Sequence, residues 1–359
     1  MRAAICYEFG KPLRVEEVTL DPPQRGEVKI RVEATAICHS DVHYMKGEWA
    51  IKLPFIPGHE TAGIVEAVGE DVTMAQPGDR VVVSLLRSCG RCEYCQSGMP
   101  QHCSAKWPMD TENRIVNMHG DRVKAGTRVG GFAEYAIVDQ SQVVRLPDEI
   151  GLEPAALLAC GVITGVGAVV NTAHVEPGST VVIMGAGGVG LNAVQGAALT
   201  GAGRIITVDL LDNKLEAAKK FGATAVVNAA QVDVMEAVLA LTHGRKVDHV
   251  IVTVGSDAAI QQALGVVRPG GTVTLVGMPP EALRSPLAVR SLAFNGIRLL
   301  GSFMGSTRLQ IDVPRLIDHY LNGKLLLDEL ITARYPLDQI NEAIGSMERG
   351  EALRNVVVF

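Results

Sequence analysis

The sequence predicts an α/β protein in which a doubly wound, six-stranded parallel sheet is joined to a smaller, mostly antiparallel β domain. Three observations support this fold class. A glycine-rich turn links a strand pattern to a helix pattern at 180–199, strand and helix patterns alternate from there to 304, and short β-like runs fill residues 1–150. A length of 359 residues fits two domains.

The glycine-rich turn, GAGGVG at 185–190, follows the apolar run Thr180–Met184 and precedes a helix of small residues. In a G-x-G-x-x-G pattern the first glycine permits a tight turn, the second lets a pyrophosphate approach the backbone, and the third lets helix and strand pack closely. The helix N-terminus then offers free N–H groups to the phosphates. The phosphate-binding residues predicted here are Gly185, Gly187, Gly188, Val189 and Gly190.

Asp209 lies 19 residues after Gly190, at the end of the next β-branched run. A carboxylate at this place can bind the adenosine ribose hydroxyls, and it would repel a 2′-phosphate, so NAD is predicted rather than NADP. The alternative is a glycine-rich turn without a ligand. This alternative is less favoured, because the turn lies between a strand and a helix and is followed by a second strand that ends in an acid.

The cofactor domain is predicted at 162–304, and the catalytic domain at 1–161 with 305–359. Strands of the parallel sheet are expected at 180–184, 204–209, 225–228, 247–255, 272–277 and 297–304. Helices are expected at 214–221, 234–241 and 258–267. The strand-like end at 355–359 can return to the first domain.

In the first domain, β-like runs are separated by proline and glycine turns. They lie at 2–7, 13–18, 27–32, 63–68, 80–85, 132–138 and 142–146. Residues 104–129 are polar and irregular, and a long surface loop is expected there.

Composition excludes some partners and suggests a compartment. A net charge of −6 and a pI near 5.9 give no basic stripe for nucleic acid. No secretory signal is visible at the start, and the uncharged stretch 179–203 contains several glycines, so it is interpreted as strand, turn and helix rather than a membrane span. The predicted location is cytoplasmic, where seven cysteines indicate metal binding or catalysis rather than disulfides.

Four cysteines share one short segment with the spacing C-x2-C-x2-C-x7-C. Four thiolates so spaced can surround one ion, which predicts a closed structural zinc site. The alternatives are an iron–sulfur cluster, whose bacterial ferredoxin pattern has a shorter last gap followed by proline, and disulfides. The predicted ligands are Cys89, Cys92, Cys95 and Cys103.

A second set is dispersed: Cys38, His59 and Cys160. A lone buried cysteine or histidine is most often a packed core residue. Two thiolates and one imidazole can also form the Cys₂His set of a catalytic zinc that leaves a fourth position for substrate. Sequence spacing alone does not decide between these readings.

These motifs, in this order, resemble the zinc-dependent medium-chain dehydrogenase/reductase family, the alcohol dehydrogenases, over essentially the whole chain. The matching segments are CHSDVH at 38–43, GHETAGIVEAVG at 58–69, GDRV at 78–81, the four-cysteine segment, CGVITG at 160–165, VNTAHVEPGSTV at 170–181, GAGGVG at 185–190 and RPGGTVTLVG at 268–277. The resemblance implies a GroES-like catalytic domain, two zinc ions per chain and NAD. It places the catalytic zinc on Cys38, His59 and Cys160.

The resemblance also implies roles for residues around that zinc. Glu60 corresponds to a nearby carboxylate that exchanges with substrate or water, and Asp41 to the acid that orients the ligand histidine. Ser40 and His43 correspond to a hydroxyl proton relay, with an ordinary surface histidine as the less favoured alternative for His43. Cofactor contacts are implied for His39, Thr164, Lys214 and Arg354, with a solvated helix charge as the alternative for Lys214.

The substrate is implied only as a class. By position the pocket is lined or flanked by large or apolar residues, which suits alcohols with an aliphatic or aromatic body; each of them could instead be core. They are Trp49, Leu85, Trp107, Ile163 and Met304.

Other functions remain open at this stage. The first alternative is a thiol-adduct formaldehyde dehydrogenase, but the acid and arginine of glutathione-type members fall on Trp49 and Trp107, leaving bacterial thiols such as mycothiol. A polyol dehydrogenase and a non-enzymatic zinc protein fit less well, because Cys160 and the relay residues are all present. A homodimer is expected by analogy, joined at the edge strand 297–304.

Overall fold

The computed structural model describes every residue from Met1 to Phe359, and the chain divides into two compact units. The first unit contains Met1–Cys160 and Arg308–Phe359, and the second contains Gly161–Thr307. The domain boundaries predicted from sequence, after 161 and before 305, lie one and three residues from these divisions.

Eighteen strands are present. In chain order they are β1 Arg2–Ile5, β2 Arg14–Leu20, β3 Glu27–Ala36, β4 Phe55–Ile56, β5 Glu60–Val68, β6 Arg80–Val83, β7 Ile115–Asn117, β8 Arg122–Ala125, β9 Tyr135–Asp139, β10 Val143–Arg145, β11 Thr180–Met184, β12 Arg204–Asp209, β13 Ala225–Asn228, β14 Val247–Val252, β15 Val267–Leu275, β16 Arg298–Gly301, β17 Ile331–Pro336 and β18 Arg354–Val358.

Eleven α-helices accompany the strands. They are α1 His39–Met45, α2 Glu93–Gln96, α3 Leu152–Leu157, α4 Ile163–Gly167, α5 Gly188–Leu199, α6 Asp212–Lys220, α7 Val234–Leu241, α8 Asp257–Val266, α9 Val289–Asn295, α10 Leu309–Leu321 and α11 Ile340–Glu348. Short 3₁₀ and π turns join several of them.

The first unit is built on two β-sheets. One has the order β1-β2-β7-β8-β4, and the other has the order β10-β6-β5-β3-β18-β17 with β9 also paired to β3. All pairs are antiparallel except β4 with β8 and β17 with β18. The predicted mostly antiparallel β domain is confirmed.

The C-terminal strand returns to the first unit, as its apolar sequence indicates. β18 lies antiparallel to β3, with Val356 opposite Ala36 and Val358 opposite Ala34. Alternating small and branched apolar side chains on these strands are buried, and Val356 and Val357 are fully inaccessible. β18 therefore lies between β17 and β3, the strand that leads into α1.

The long surface loop expected at 104–129 is wrong in one respect, because this segment contains β7 and β8. These strands pair with each other and extend the sheet of the N-terminal strands, with Val18 opposite Asn117. Strands of three and four residues are too short for a period-of-two pattern to stand out. Their other partners, β2 for β7 and β4 for β8, lie about seventy to a hundred residues earlier in the chain, so local sequence carries little information about these pairings.

The second unit contains the predicted parallel sheet, with the order β13-β12-β11-β14-β15-β16. This is the 3-2-1-4-5-6 order of a doubly wound dinucleotide fold, in which ligands bind at the carboxyl ends of the strands where the order reverses. Its strands are continuous apolar runs because both faces are covered; Val182, Val250 and Val273 are fully buried. The predicted fold class is confirmed.

One helical stretch, Leu152–Thr172, is long and apolar enough to cross a membrane by composition alone, but 83% of its window is buried inside the protein. That burial is what a core helix shows. The stretch contains two π-helical turns, Leu158–Val162 and Ala168–Thr172. Single π turns inside helices are frequent at functional sites, and the first one contains Cys160.

Candidate metal and cofactor sites

The dispersed cysteine and histidine residues predicted as one set come together within the first unit. Cys38, His59, Glu60 and Cys160 offer ligand atoms that all lie within 4.8 Å of one another. His59 and Glu60 are fully buried, and both cysteines are less than 10% exposed. Two buried atoms here, His59 Nε2 and Glu60 Oε1, have no hydrogen-bond partner. Unpaired polar atoms converging on one point are what a bound cation would satisfy.

One carboxylate joins the two loops that supply these residues. Asp41 Oδ1 accepts hydrogen bonds from His59 Nδ1 at 2.9 Å and from the Gly58 amide at 3.0 Å. Its Oδ2 accepts from the amide of Cys38, the residue before α1, at 3.2 Å. Because Nδ1 of His59 is held by Asp41, Nε2 is the nitrogen that faces the donor set, as a metal-ligating imidazole requires.

The third donor reaches the set through the π turn at 158–162. Ser84, at the end of β6, donates its hydroxyl proton to the carbonyl oxygen of Ala159 at 2.7 Å. This bond ties the residue before Cys160 to the end of β6. β6 pairs with β5, the strand that begins directly after His59. The π turn is therefore held by a side-chain hydrogen bond next to Cys160.

Electrostatics among the donors favours an anionic sulfur at Cys38 and a protonated one at Cys160 while no cation is bound. A hydrogen bond from the Cys160 thiol lowers the pKa of Cys38 well below its ordinary value, against the effect of burial. The same bond, with burial, raises the pKa of Cys160. Burial alone would lower the pKa of His59, but Asp41 and Cys38 outweigh it and raise that pKa. Thiolate character in a closed, buried cluster suits a divalent cation, since thiolate is the metal-binding form.

Glu60 is paired on one side only. Its Oε2 accepts from Arg354 Nη2, and both side chains are almost completely buried. Burial raises the pKa of Glu60 to about 8, with Arg354 opposing that shift. The structure thus places Arg354 against a carboxylate of the metal set; its implied contact with cofactor phosphates stays a prediction.

The four-cysteine segment forms a second cluster, with its sulfur atoms within 4.8 Å of one another. A tetrahedron with Zn–S bonds of about 2.3 Å has edges of about 3.8 Å. The Cys92 and Cys103 sulfurs are 3.8 Å apart. The Cys89 amide donates to the Cys103 sulfur, and the Cys92 amide donates to the Cys89 sulfur, each at 3.3 Å. Size and donor set both fit a structural zinc.

Backbone amides also tune these thiols. Hydrogen bonds from the Cys95 and Ser104 amides lower the pKa of Cys92 to about 6. Burial, with Cys92 as a neighbour, raises the pKa of Cys95 to about 12. One thiol is therefore ready to ionise at neutral pH, and the others lose their protons more readily when a cation is bound.

Three glycines of the glycine-rich turn have the separate geometries that the sequence predicts for them. Gly185 has φ +98°, and a Cβ there would meet Val254 Cγ1 at 2.5 Å. A Cβ on Gly190 would meet the Gly185 carbonyl oxygen at 1.8 Å. A Cβ on Gly187, the residue before α5, would meet no protein atom within 4 Å. Two of the glycines are required by packing, and the third leaves the backbone open beside a helix N-terminus.

Asp209 ends β12 with its carboxylate held by the backbone. Oδ2 accepts from the Ala186 amide at 2.7 Å, and Oδ1 accepts from the Leu210 and Leu211 amides at 2.8 and 3.0 Å. Burial lowers the pKa of Lys214, and the negative charge of Asp209 opposes that shift. The acid is thus fixed beside the glycine-rich turn, with Lys214 within its electrostatic reach.

The relay residues share one helix in the first unit. Ser40 and His43 are three positions apart in α1, which places them on the same face of the helix, and both are partly exposed. His39, at the start of the same helix, is exposed. The ring of His43 contacts the carboxylate of Glu48 through Nδ1. Sequence reasoning missed Glu48, because an acid five residues from a histidine forms no recognised pattern.

The predicted pocket residues fall into separate places. Trp49 stacks on His43 with ring centroids 4.6 Å apart. The guanidinium of Arg87 lies 5.9 Å from the centre of the Trp107 ring, and Leu85 is partly exposed two residues before that arginine. Nothing in the sequence pattern pointed to Arg87, which is buried and also donates hydrogen bonds to the side chains of Gln142 and Asp110.

In the second unit, the predicted cofactor and pocket residues Thr164 and Met304 contact each other, with the hydroxyl 3.8 Å from the sulfur. Ile163 is buried, and its carbonyl oxygen accepts from the Thr307 hydroxyl at 3.3 Å. The pocket role of these residues stays a prediction.

Family comparisons agree with this geometry. Residues 24–148 match the alcohol dehydrogenase GroES-like domain, and residues 188–322 match the zinc-binding dehydrogenase family. The NDMA-dependent alcohol dehydrogenase of Amycolatopsis methanolica is 36% identical over 365 residues, covering 99% of this chain and 98% of its own. The structure of benzyl alcohol dehydrogenase from Acinetobacter calcoaceticus superposes with a TM-score of 0.92 at 31% identity, covering 100% of this chain and 99% of its own.

The chain therefore belongs to the zinc-dependent medium-chain dehydrogenase/reductase family and is an alcohol dehydrogenase, an oxidoreductase. Two further similar structures carry nicotinamide cofactors. A short chain alcohol dehydrogenase from E. coli CFT073 is complexed with NADH (25% identity, TM-score 0.83, 100% and 99% coverage). A zinc-binding dehydrogenase from Sinorhizobium meliloti 1021 is bound to NADP (28% identity, TM-score 0.84, 100% and 99% coverage). Zinc and a nicotinamide cofactor thus belong to this enzyme class.

Proposed function

We propose that the enzyme transfers hydride reversibly between a primary or secondary alcohol and NAD, with one catalytic and one structural zinc in each chain. The observation that carries the proposal is the convergence of Cys38, His59 and Cys160 with an unpaired, buried His59 Nε2. Three protein ligands leave a fourth position for substrate, whereas the four-cysteine cluster leaves none. Glu60 Oε1 is the nearby carboxylate oxygen that can exchange with substrate or water.

When bound, zinc supplies Lewis acidity and the nicotinamide accepts hydride. The protein's own residues then manage the proton. Ser40 Oγ accepts the hydroxyl proton of the alcohol and releases its own proton towards the ring of His43, from which it leaves to water. The balance is one alcohol and NAD⁺ giving one aldehyde or ketone, NADH and a proton. In the other direction the same two side chains return the proton to the carbonyl oxygen.

The proposed cofactor is NAD because the carboxylate of Asp209 is fixed at the end of β12 by three backbone amides. A carboxylate held there can accept hydrogen bonds from both ribose hydroxyls, and it repels the phosphate that distinguishes NADP. His39, Lys214 and Arg354 are proposed as further contacts to the cofactor. The NADP-bound and NADH-bound relatives show that both cofactors occur on this fold.

The proposed substrates are alcohols with an aliphatic or aromatic body, supported by the apolar character of Trp49, Leu85, Trp107 and Met304. The name of the Acinetobacter relative, a benzyl alcohol dehydrogenase, agrees with an aromatic substrate. A thiol-adduct formaldehyde dehydrogenase is the second candidate, with mycothiol rather than glutathione as the thiol. The tryptophans at 49 and 107 disfavour a glutathione adduct.

An alcohol panel followed by NADH formation tests the proposal. Aliphatic, aromatic and polyol substrates are compared in zinc-replete protein, with parallel assays that replace NAD by NADP or by NDMA. Formaldehyde is assayed with and without glutathione and mycothiol. Turnover of free alcohols with NAD supports the proposal; formaldehyde turnover that needs a thiol supports the second candidate. No turnover on any substrate contradicts both.

We also propose a homodimer, supported by the edge of the parallel sheet in the second unit. β16 has a partner on one side only, and the neighbouring α9 exposes Val289 and Phe294 at 69% and 83%. Exposed edges beside apolar side chains favour pairing. Light scattering after size-exclusion chromatography distinguishes a 38.1 kDa chain from its dimer or tetramer. A cytoplasmic location is proposed because no two of the seven cysteines are joined by a disulfide.

A further inference from the structure

The imidazole of His43 has a partner that the proton relay does not include. Its Nδ1 contacts Glu48 Oε2, and the two side chains are only 22% and 34% exposed. An ionised carboxylate can only accept a hydrogen bond. Nδ1 must therefore carry the proton, and Nε2 is left as the basic nitrogen.

The backbone turn after α1 is built to bring this carboxylate back to the ring. The Glu48 amide donates to the His43 carbonyl oxygen at 3.0 Å, which closes the turn directly under the side chains. Gly47 permits that turn with φ +73°, and a Cβ there would meet the Phe9 ring at 2.9 Å. Glu48 thus returns to His43 through its backbone as well as its side chain.

A charge pair fixes the same turn to the C-terminal helix of the first unit. Lys46 Nζ lies 2.7 Å from Glu348 Oε1 of α11. The electrostatic field of Glu48 also raises the pKa of Lys46, after the larger effect of Glu348. Glu348 therefore neutralises Lys46, so that Glu48 keeps its ring contact rather than serving as the only partner of the lysine.

Aromatic packing restrains the plane of the imidazole. Trp49 stacks on His43 at 4.6 Å with an interplanar angle of 23°, and Tyr44 packs edge-to-face with the Trp49 ring at 5.2 Å and 85°. Offset stacking and edge contacts at these separations are favourable. Trp49, expected from sequence as a pocket residue, is thus also the surface against which the ring rests.

We propose that Glu48 is a positioning residue for the relay: it holds His43 in the Nδ1–H tautomer, with Nε2 free to take the proton, while Trp49 fixes the ring plane. The inference rests on the proposed function, because it assigns Glu48 a part in the proton transfer that Ser40 begins. Glu48 also stabilises the imidazolium once His43 receives the proton, as a carboxylate behind a catalytic imidazole does. It does not touch the substrate.

The tautomer is tested without any turnover. Nitrogen-15 labelling of the histidines and two-bond ¹H–¹⁵N correlation distinguishes Nδ1–H from Nε2–H, and the His43→Gln variant assigns the signal. We expect the neutral His43 of the wild type to be mainly the Nδ1–H form, and Glu48→Ala to move it towards Nε2–H. A wild-type His43 that is mainly Nε2–H overturns the proposal whether or not the enzyme oxidises alcohols.

Kinetics then test the consequence in zinc-replete enzyme. We expect Glu48→Gln to lower kcat about tenfold, a fraction of what general acid–base groups contribute, with KM and NADH affinity within about twofold of wild type. Glu351→Gln, which removes an exposed carboxylate of the same unit that pairs with Arg349, is the control and should leave kcat unchanged.

A double-mutant cycle separates action through His43 from a merely structural effect. In a His43→Ala background, Glu48→Gln should change kcat by less than about twofold. An undiminished tenfold loss in that background, or equal loss in Glu351→Gln, overturns the positioning role. If neither the wild type nor any variant turns over alcohols, the proposed function fails. The tautomer measurement still decides whether Glu48 holds His43 in the Nδ1–H form.

Discussion

Gly187 and Gly190 lie on either side of the first residue of α5, and alanine substitutions at the two positions should rank in opposite order in their effects on stability and on NADH binding. Gly187→Ala adds a Cβ that meets no protein atom within 4 Å, at φ −75°, so the protein should tolerate it. Alanine is a poorer residue than glycine before a helix, at a cost of about 1 kcal/mol or less. Gly190→Ala places its Cβ 1.8 Å from the Gly185 carbonyl oxygen, which forces backbone to move.

The two variants should differ in the size of the loss. A Cβ 1.8 Å from a backbone oxygen belongs at the upper end of overpacking costs, about 3 kcal/mol, and the gain of about 1 kcal/mol from helix propensity offsets part of it, which leaves about 2 kcal/mol. At about 2–4 °C per kcal/mol for a domain of this size, Gly190→Ala should lower the Tm by about 4–8 °C, and Gly187→Ala, at about 1 kcal/mol or less, by about half of that or less. For NADH binding the order reverses, because the added methyl of Gly187→Ala lies where the pyrophosphate is proposed to approach.

The assay is calorimetry with no nucleotide added, followed by titration of NADH fluorescence at a temperature where both variants are folded. We expect Gly187→Ala to lose at least tenfold in NADH affinity, with a smaller loss of Tm than Gly190→Ala. Wild-type NADH affinity in Gly187→Ala would refute the assignment of this turn to the pyrophosphate. Equal Tm values for wild type and Gly190→Ala would refute the packing argument.

Three further predictions address charge and burial. Asp209→Asn should lower the ratio of kcat/KM for NAD to that for NADP at least tenfold, and an unchanged ratio would contradict the ribose assignment. Arg87→Leu should destabilise the first unit by about 2–3 kcal/mol in urea unfolding, since its buried guanidinium binds three partners. The exposed pair formed by Arg25 gives the control, and Arg25→Gln should cost under about 0.5 kcal/mol. Burial lowers the pKa of His249, and the charge of Asp248 opposes that shift only in part. On acidification the histidine is therefore protonated more readily in the unfolded chain than in the folded one. Stability should fall as pH drops below about 6.5, and His249→Gln should flatten that fall in Tm-against-pH curves; the same slope in both proteins would contradict it.

The sequence predicts the parallel sheet better than any other part of the fold. Strands at 180–184, 204–209 and 225–228 agree residue for residue, because buried parallel strands are uninterrupted apolar runs bounded by turns. The strand expected at 297–304 is shorter, at 298–301, since the chain turns at Met304 with φ +49°. Strand edges depend on where pairing ends, which local sequence does not encode.

The sites follow the same division between local and distant information. Cys89, Cys92, Cys95 and Cys103 are readable from spacing because one short segment supplies all four ligands. The other cysteine and histidine donors meet only through the folding of strands far apart in sequence, and there the family resemblance supplied the grouping.

Some details of the sites had no signal at all in the sequence. The π turn that presents Cys160 arises from packing and from the bond of Ser84 to the preceding carbonyl. The contact of Glu48 with His43 depends on the backbone turn at Gly47. Both are set by tertiary geometry rather than by residue type.

Zinc content measured together with turnover in Cys160→Ala tests the central claim most directly. The wild type should contain two zinc ions per chain by mass spectrometry of the metal and should oxidise alcohols. Cys160→Ala should retain one zinc and NADH binding, and should lose turnover, because the four-cysteine cluster is intact while the Cys₂His set is broken. A variant that oxidises alcohols at the wild-type rate, or that keeps two zinc ions, would contradict the assignment of the catalytic zinc to Cys38, His59 and Cys160.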